Sequence, residues 1–219
     1  MGIIGVVAAL TIPNLNQSTG DREKVAKVKK IYSNLEDAIG RATAVYGPYN
    51  EWYKSDYNEG IPDLKAMNTR FTNRITEFMK ISKDCGDKGS GCFASDYKLL
   101  NNINTDSPMA LQNSHMVLLA DGTAVAFIAA GVIKVDIDGV KGANVSGKDL
   151  FSFEVNFDDN SIIPDGRLSN DTLVANCFKF GLKCAAWVIE TGNMDYLKVD
   201  AEGKCPNGKE LNWENTSCK

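Results

Sequence analysis

The chain has 219 residues, 43% of them hydrophobic and 24% charged, with a net charge of −4. That is enough apolar material for one ordinary core plus an extension, which excludes both a disordered chain and a wholly membrane-embedded one. The acidic balance supplies no whole-chain positive field toward nucleic acid, and the single histidine, His115, excludes His-rich metal centres.

Residues 2–13 read GIIGVVAALTIP, and no charge occurs before Asp21. Crossing a bilayer takes about 20 apolar residues, so this run alone is too short. It reads as a buried helix, as the hydrophobic part of a cleaved signal peptide, or as a membrane span whose beginning is missing. No basic start precedes it and a helical pattern follows it, which favours the third reading. Ile3, Ile4, Val6, Val7, Leu10, Ile12 and Pro13 are then the residues that meet lipid or other subunits, with a kink expected at Pro13.

From Asp21 the pattern becomes an amphipathic helix, with Val25, Val28, Tyr32, Leu35, Ile39, Ala42 and Tyr46 at alternating spacings of three and four. Lys24, Lys27, Lys30, Glu36 and Arg41 fall off this stripe, and Gly47-Pro48 supplies the stop. A single helix over residues 2–46 would be roughly 65 to 70 Å long at 1.5 Å per residue, more than a head domain needs. The expected division is therefore a truncated anchor or filament-core half over residues 1–20 and a head over residues 21–219.

Residues 49–60, rich in Tyr, Trp, Asn and Gly, suit a surface loop, in which Trp52, Tyr53 and Tyr57 could meet a ligand or neighbour. A second helix is expected from Pro62-Asp63, with Leu64, Met67, Phe71, Ile75 and Phe78 on one face. Residues 115–120, the Asp121-Gly122 turn and residues 123–128 form a hairpin signal, which makes His115 a strand residue facing core or solvent. Further strands are expected at 133–138, at 150–157 with Phe151, Phe153, Val155 and Phe157 on one face, and at 160–163. A short helix is expected over 183–190, with Trp187 in the core. Closely spaced strands joined by turns imply an antiparallel sheet whose apolar face takes the helix stripe, so the fold class is α+β.

The segment DIDGVKGANVSGKD places the oxygen donors Asp136, Asp138, Asn144 and Asp149 in one stretch, a possible calcium loop. Turn chemistry gives it a plainer role, Asp-Gly turns between strands, and that role is favoured. The six cysteines, Cys85, Cys92, Cys177, Cys184, Cys205 and Cys218, lack zinc spacing and favour an oxidising compartment. Local spacing suggests pairing each with its neighbour in that order, although other connectivities stay open. Closing such loops is worth roughly 2.5 to 3 kcal/mol each in the chain-entropy model.

At this point GIIGVVAALTIPNL resembles the distal part of the N-terminal helix of type IV pilin-like and pseudopilin subunits. VDIDGVKGANVSGKDLFSFEV and CAAWVIETGNMDYLK resemble segments in which a D-x-(D/N)-G turn and an Ala-Trp-containing tail recur. The resemblance implies a long helix on an antiparallel sheet with disulfide-closed C-terminal loops, and some similar pseudopilins hold calcium in a loop of the head. It implies a bacterial filament subunit, not an enzyme, of a pilus or a type II secretion pseudopilus. Its partners are copies of itself or related subunits, and it resides in the inner membrane with a periplasmic head before assembly into a periplasmic or cell-surface filament. The basic leader, the cleavage and methylation site and the early Glu of prepilins do not occur here, which implies N-terminal truncation. The alternative is a membrane-tethered periplasmic binding module that does not polymerise. Arg22, Lys24, Lys27, Lys29 and Lys30 argue the other way, since the positive-inside tendency would place that flank in the cytoplasm. The cysteines and the resemblance outweigh it.

Overall fold

The structure, a computed structural model, describes residues 3–52, 57–58, 61–128 and 131–219, with residues 3–18, 57–58 and 61–62 described by backbone alone. Helix α1 runs unbroken over Ile3–Tyr46. Its buried residues are Val25, Val28, Ile31, Leu35, Ala38, Ile39 and Ala42, each at most 8% exposed. The expected stripe is present and wider by Ile31 and Ala38, which lie beside its three-four rows. Tyr32 sits at its rim, stacked on Phe153 at 6.1 Å. Tyr46, expected on the stripe, is 36% exposed; it is the last residue of the helix, where its hydroxyl donates to Glu77 and Arg74 lies 4.7 Å over its ring.

A 3-10 turn, Tyr49–Glu51, follows. The short pair β1 (Tyr57–Asn58) and β2 (Ile61–Pro62) comes next, then α2 over Leu64–Thr76. The Asp63 carboxylate caps α2 by accepting from the backbone N–H groups of Lys65 and Ala66. Met67, Phe71 and Ile75 face inward as expected, but Leu64 is 43% exposed, being in the first turn ahead of the packed face. Phe78 lies past the helix end, partly buried.

The main sheet contains β3 (Ile81–Gly86), β6 (Ser114–Leu119), β7 (Ala124–Ile128), β8 (Val132–Asp136), β9 (Leu150–Val155) and β10 (Ile162–Pro164). They are antiparallel in the order β10-β9-β8-β7-β6-β3. The Asp121-Gly122 turn joins β6 to β7 as expected, but as a loop of three residues, 120–122: Leu118 stands opposite Ala124, and the Leu119 N–H donates to the Thr123 carbonyl at 2.8 Å. A small outlying ladder pairs β4 (Tyr97–Lys98) with β5 (Asn104–Thr105). Both edges of the main sheet are blunted. Strand β3 carries register shifts and charged residues, and the short β10 ends in Pro164 while Glu36 of α1 accepts from the Ile162 N–H at 2.7 Å.

Alternation along the strands makes two cores. Val117, Val125, Phe127, Ile133, Val135, Phe151, Phe153 and Ile162 face the helices, whereas Met116, Ala124, Ala126 and Leu150 meet Cys92, Phe93 and Tyr97 on the far side. Phe157 departs from its expected face and is 44% exposed, because β9 ends at Val155 and the chain turns before it.

Downstream, α3 (Asn170–Leu173) continues into a π-helical turn, Val174–Phe178. Helix α4 (Ala185–Thr191) ends on Gly192 in the left-handed region, and a 3-10 turn, Asp195–Lys198, leads to the tail. Trp187 is fully buried, edge-on to Phe178 at 5.3 Å and tilted against the partly buried Trp213 at 5.1 Å. Among the described residues no helix is long and apolar enough to cross a membrane.

Candidate functional site

The richest polar arrangement lies where α1 crosses the loop of residues 136–149. That loop brings Asp138 and Asp149 to the helix, while Asp136, at the end of β8, shares the far face of the sheet with Ala124, Leu150 and Tyr97; Asp136 and Asp149 are wholly buried. Gly142 lies between two of them: a Cβ there would stand 3.4 Å from Asp138 Oδ2 and 3.8 Å from Asp149 Cγ. Such a convergence of carboxylates demands positive charge or protons.

The positive charge comes from α1. Lys24 is ion-paired with Asp149, Lys27 with Asp138, and Lys30 with Asp121 of the β6–β7 turn at 2.6 Å. Spacing of three along a helix keeps the three ammonium groups on one flank of the buried stripe, facing three successive acidic turns. Lys27 Nζ also donates to the Ile137 carbonyl at 3.4 Å. The basic cluster that argued for a cytoplasmic flank is thus largely spent on head carboxylates.

Asp136 is handled differently. Its Oδ2 accepts from the Tyr97 hydroxyl at 2.5 Å and its Oδ1 from the Asp138 N–H at 2.9 Å. Burial pushes its carboxyl up from 3.8 to about 7; the two hydrogen bonds oppose this and the nearby Asp149 charge adds to it. The Tyr97 hydroxyl is raised too, by burial and by Asp136.

Between roughly pH 4 and 7 the unfolded chain gives up the Asp136 proton while the folded chain keeps it, so stability falls as pH rises through that window. The full span corresponds to about 4 kcal/mol at ~1.4 kcal/mol per unit. Asp136→Asn keeps an acceptor for the Asp138 N–H and lets Tyr97 accept instead of donate. The difference between wild-type and variant denaturation free energies should therefore slope downward from about pH 4 to 7 and be flat above. A pH-independent difference would place the proton elsewhere.

The four oxygen-donor residues do not act as one ligand set. Asp136 is committed to Tyr97, Asp138 to Lys27 and Asp149 to Lys24 and the Val145 N–H, while Asn144 Oδ1 is buried with no hydrogen-bond partner. Among the described residues no group of three or more His, Cys, Asp or Glu is placed to hold a metal ion. Asn144 stands at a positive φ of 49°, the turn role favoured for this stretch.

All three disulfides join the expected neighbours, Cys85–Cys92, Cys177–Cys184 and Cys205–Cys218. The last closes the tail, which Asp195 fastens by accepting from Lys198, the Ser217 hydroxyl and the Cys218 N–H at 2.5, 3.1 and 2.9 Å. Trp52, expected on the surface, is only 2% exposed. It meets Tyr49 edge-on at 5.3 Å, donates to the Gly47 carbonyl and carries the Arg74 guanidinium 5.2 Å above its ring. A loop-like composition concealed two aromatics that close the core beneath the end of α1. Tyr53 and the Tyr57 side chain lie outside the described residues. So do the side chains of Ile3, Ile4, Val6, Val7, Leu10, Ile12 and Pro13. His115 is half-buried, with Nε2 2.7 Å from Asp84 on the neighbouring strand β3.

The pairing of Lys24, Lys27 and Lys30 with aspartates of the head is the part of this arrangement that the sequence pattern did not bring out. The available signal was their common flank together with three aspartates in predicted turns. No protein-family model matches this chain, and neither a curated protein nor a solved structure matches it.

Proposed function

We propose that this chain is a structural subunit of a bacterial type IV pilus-like or type II secretion pseudopilus filament, built through its apolar N-terminal helix. The observation that carries the reading is the division of labour along α1. The helix spans 44 residues, about 66 Å at 1.5 Å per residue, and among residues 19–46, whose side chains are described, those it buries against the head begin at Val25. The apolar sequence of residues 2–13 has branched and small side chains suited to close helix packing between subunits. Before assembly the same surface rests in the inner membrane, with the disulfide-bonded head in the oxidising periplasm. Partners are copies of this chain or related subunits, and no chemistry in the head is required.

Lys24, Lys27 and Lys30 fit this reading in giving that flank a role within the folded head, where each is paired with an aspartate. The test is fractionation of cells that express the protein. Filaments sheared from the surface or recovered from the periplasm should contain it, and shearing should deplete the cell-bound pool. Strictly monomeric membrane protein would overturn the proposal in favour of a tethered binding module.

A further inference from the structure

We propose that the loop of residues 136–149 takes its counter-charge from helix α1, chiefly from Lys24, so that docking of the helix at the head's margin and ordering of this loop are a single equilibrium. The inference is independent of whether the chain polymerises.

Exposure decides which pair matters. Lys30–Asp121 and Lys27–Asp138 are open to solvent, with side chains 58% and 35%, and 47% and 21%, exposed. Pairs of that kind contribute little to stability. Asp149 is different, since its side chain is 0% exposed and its Lys24 partner 28%. Removing one partner of such a pair leaves a buried charge uncompensated, which is far more disruptive than losing a surface contact.

Asp149 also organises the loop's backbone. Its Oδ2 accepts from the Val145 N–H at 3.3 Å, and its own N–H donates to the Val145 carbonyl at 3.0 Å. The Ile137 N–H donates to the Asp149 carbonyl at 3.0 Å, which ties the end of the loop to its start. From below, the buried Tyr196 hydroxyl donates to the Gly147 carbonyl at 2.5 Å. Lys141 and Lys148, the loop's own cations, form no ion pair with the three carboxylates among the described residues. The ammonium groups of α1 therefore stand where a cation would be called for. If residues 21–30 of α1 lift from the sheet, Asp149 loses its partner and the loop loses the carboxylate that closes it. The loop thus responds to the position of the helix rather than to a divalent ion.

Amide hydrogen exchange on the full-length chain in detergent micelles tests this. In the wild type, exchange at Asp138, Val145 and Asp149 should be unaffected by a calcium and magnesium chelator. In Lys24→Gln the same amides should exchange at least about tenfold faster, while Leu119 at the end of β6 keeps its rate. Lys30→Gln, which removes only the outermost pair, should leave the loop unchanged and shows what a solvent-exposed pair contributes. Acceleration by the chelator, no acceleration in Lys24→Gln, or an equal effect of Lys30→Gln overturns the proposal. If Lys24→Gln fails to fold, Lys24→Arg is the deciding variant. Because it retains the charge, it should keep the loop amides within about threefold of wild type, and loss of protection there also counts against the proposal.

Discussion

Leu35→Asp should unfold the head or drive it to aggregate. Leu35 is 0% exposed at the middle of the α1 stripe, with Ile31, Ala38 and Ile39 buried around it. The substitution removes a buried aliphatic side chain, at about 2 to 5 kcal/mol for that truncation alone, and adds an unpaired carboxylate. The basic residues of α1 are no remedy, because Lys24, Lys27 and Lys30 are held on the flank by their own aspartates. Against a total stability of roughly 5 to 15 kcal/mol, the loss is large enough to abolish a cooperative melt. Circular dichroism on heating would check it, and an unchanged transition would mean that α1 does not seal the sheet.

The second large effect is expected at Gly181. Two loops cross there back to back, since a Cβ on Gly147 would lie 2.8 Å from the Gly181 Cα and 3.2 Å from Cys184 Sγ. Gly181 itself has φ +75°, and a Cβ would run into the Ser146 carbonyl. Gly181→Ala combines the left-handed penalty of roughly 1 to 2 kcal/mol with overpacking of about 1 to 3, so a loss of about 2 to 5 kcal/mol is expected in denaturant titration. Gly40→Ala is the contrast. It is helical, exposed, and has nothing within 4 Å of its Cβ position, so it should stabilise by about 0.5 to 1 kcal/mol.

Local patterns made much of this fold legible. The three-four rhythm of Val25, Val28, Leu35 and Ile39 marked the buried face of α1, and Asp121-Gly122 fixed a hairpin whose turn chemistry is local. Strand β3 was missed because an edge strand with register shifts has no clean alternation, and its burial runs from partly exposed through exposed and back. Tyr49 and Trp52 were misplaced because composition reports a loop but not what the loop covers. The aspartates of residues 136–149 were visible as a group, but the lysines that pair with two of them lie more than 100 positions away, at separations of 125 for Lys24–Asp149 and 111 for Lys27–Asp138. No periodicity encodes a contact of that range; only the packing of α1 across the sheet creates it.

In the proposed filament subunit one helix does two separate jobs, holding the head together from Val25 onward and carrying apolar contacts between subunits before it. The most direct measurement compares Val6→Asp with Leu35→Asp in the full-length, correctly processed protein, reading the thermal melt of the head and recovery of the protein in sheared filaments from the same cells. Val6→Asp should leave the melt within about 1 °C of wild type while filaments disappear, since a charge in that apolar run is costly only in lipid or among packed helices. Leu35→Asp should abolish the melt itself. If Val6→Asp lowers the melt as much as Leu35→Asp does, or if filaments form undiminished with a charge at that position, the division of α1 into two working halves is wrong.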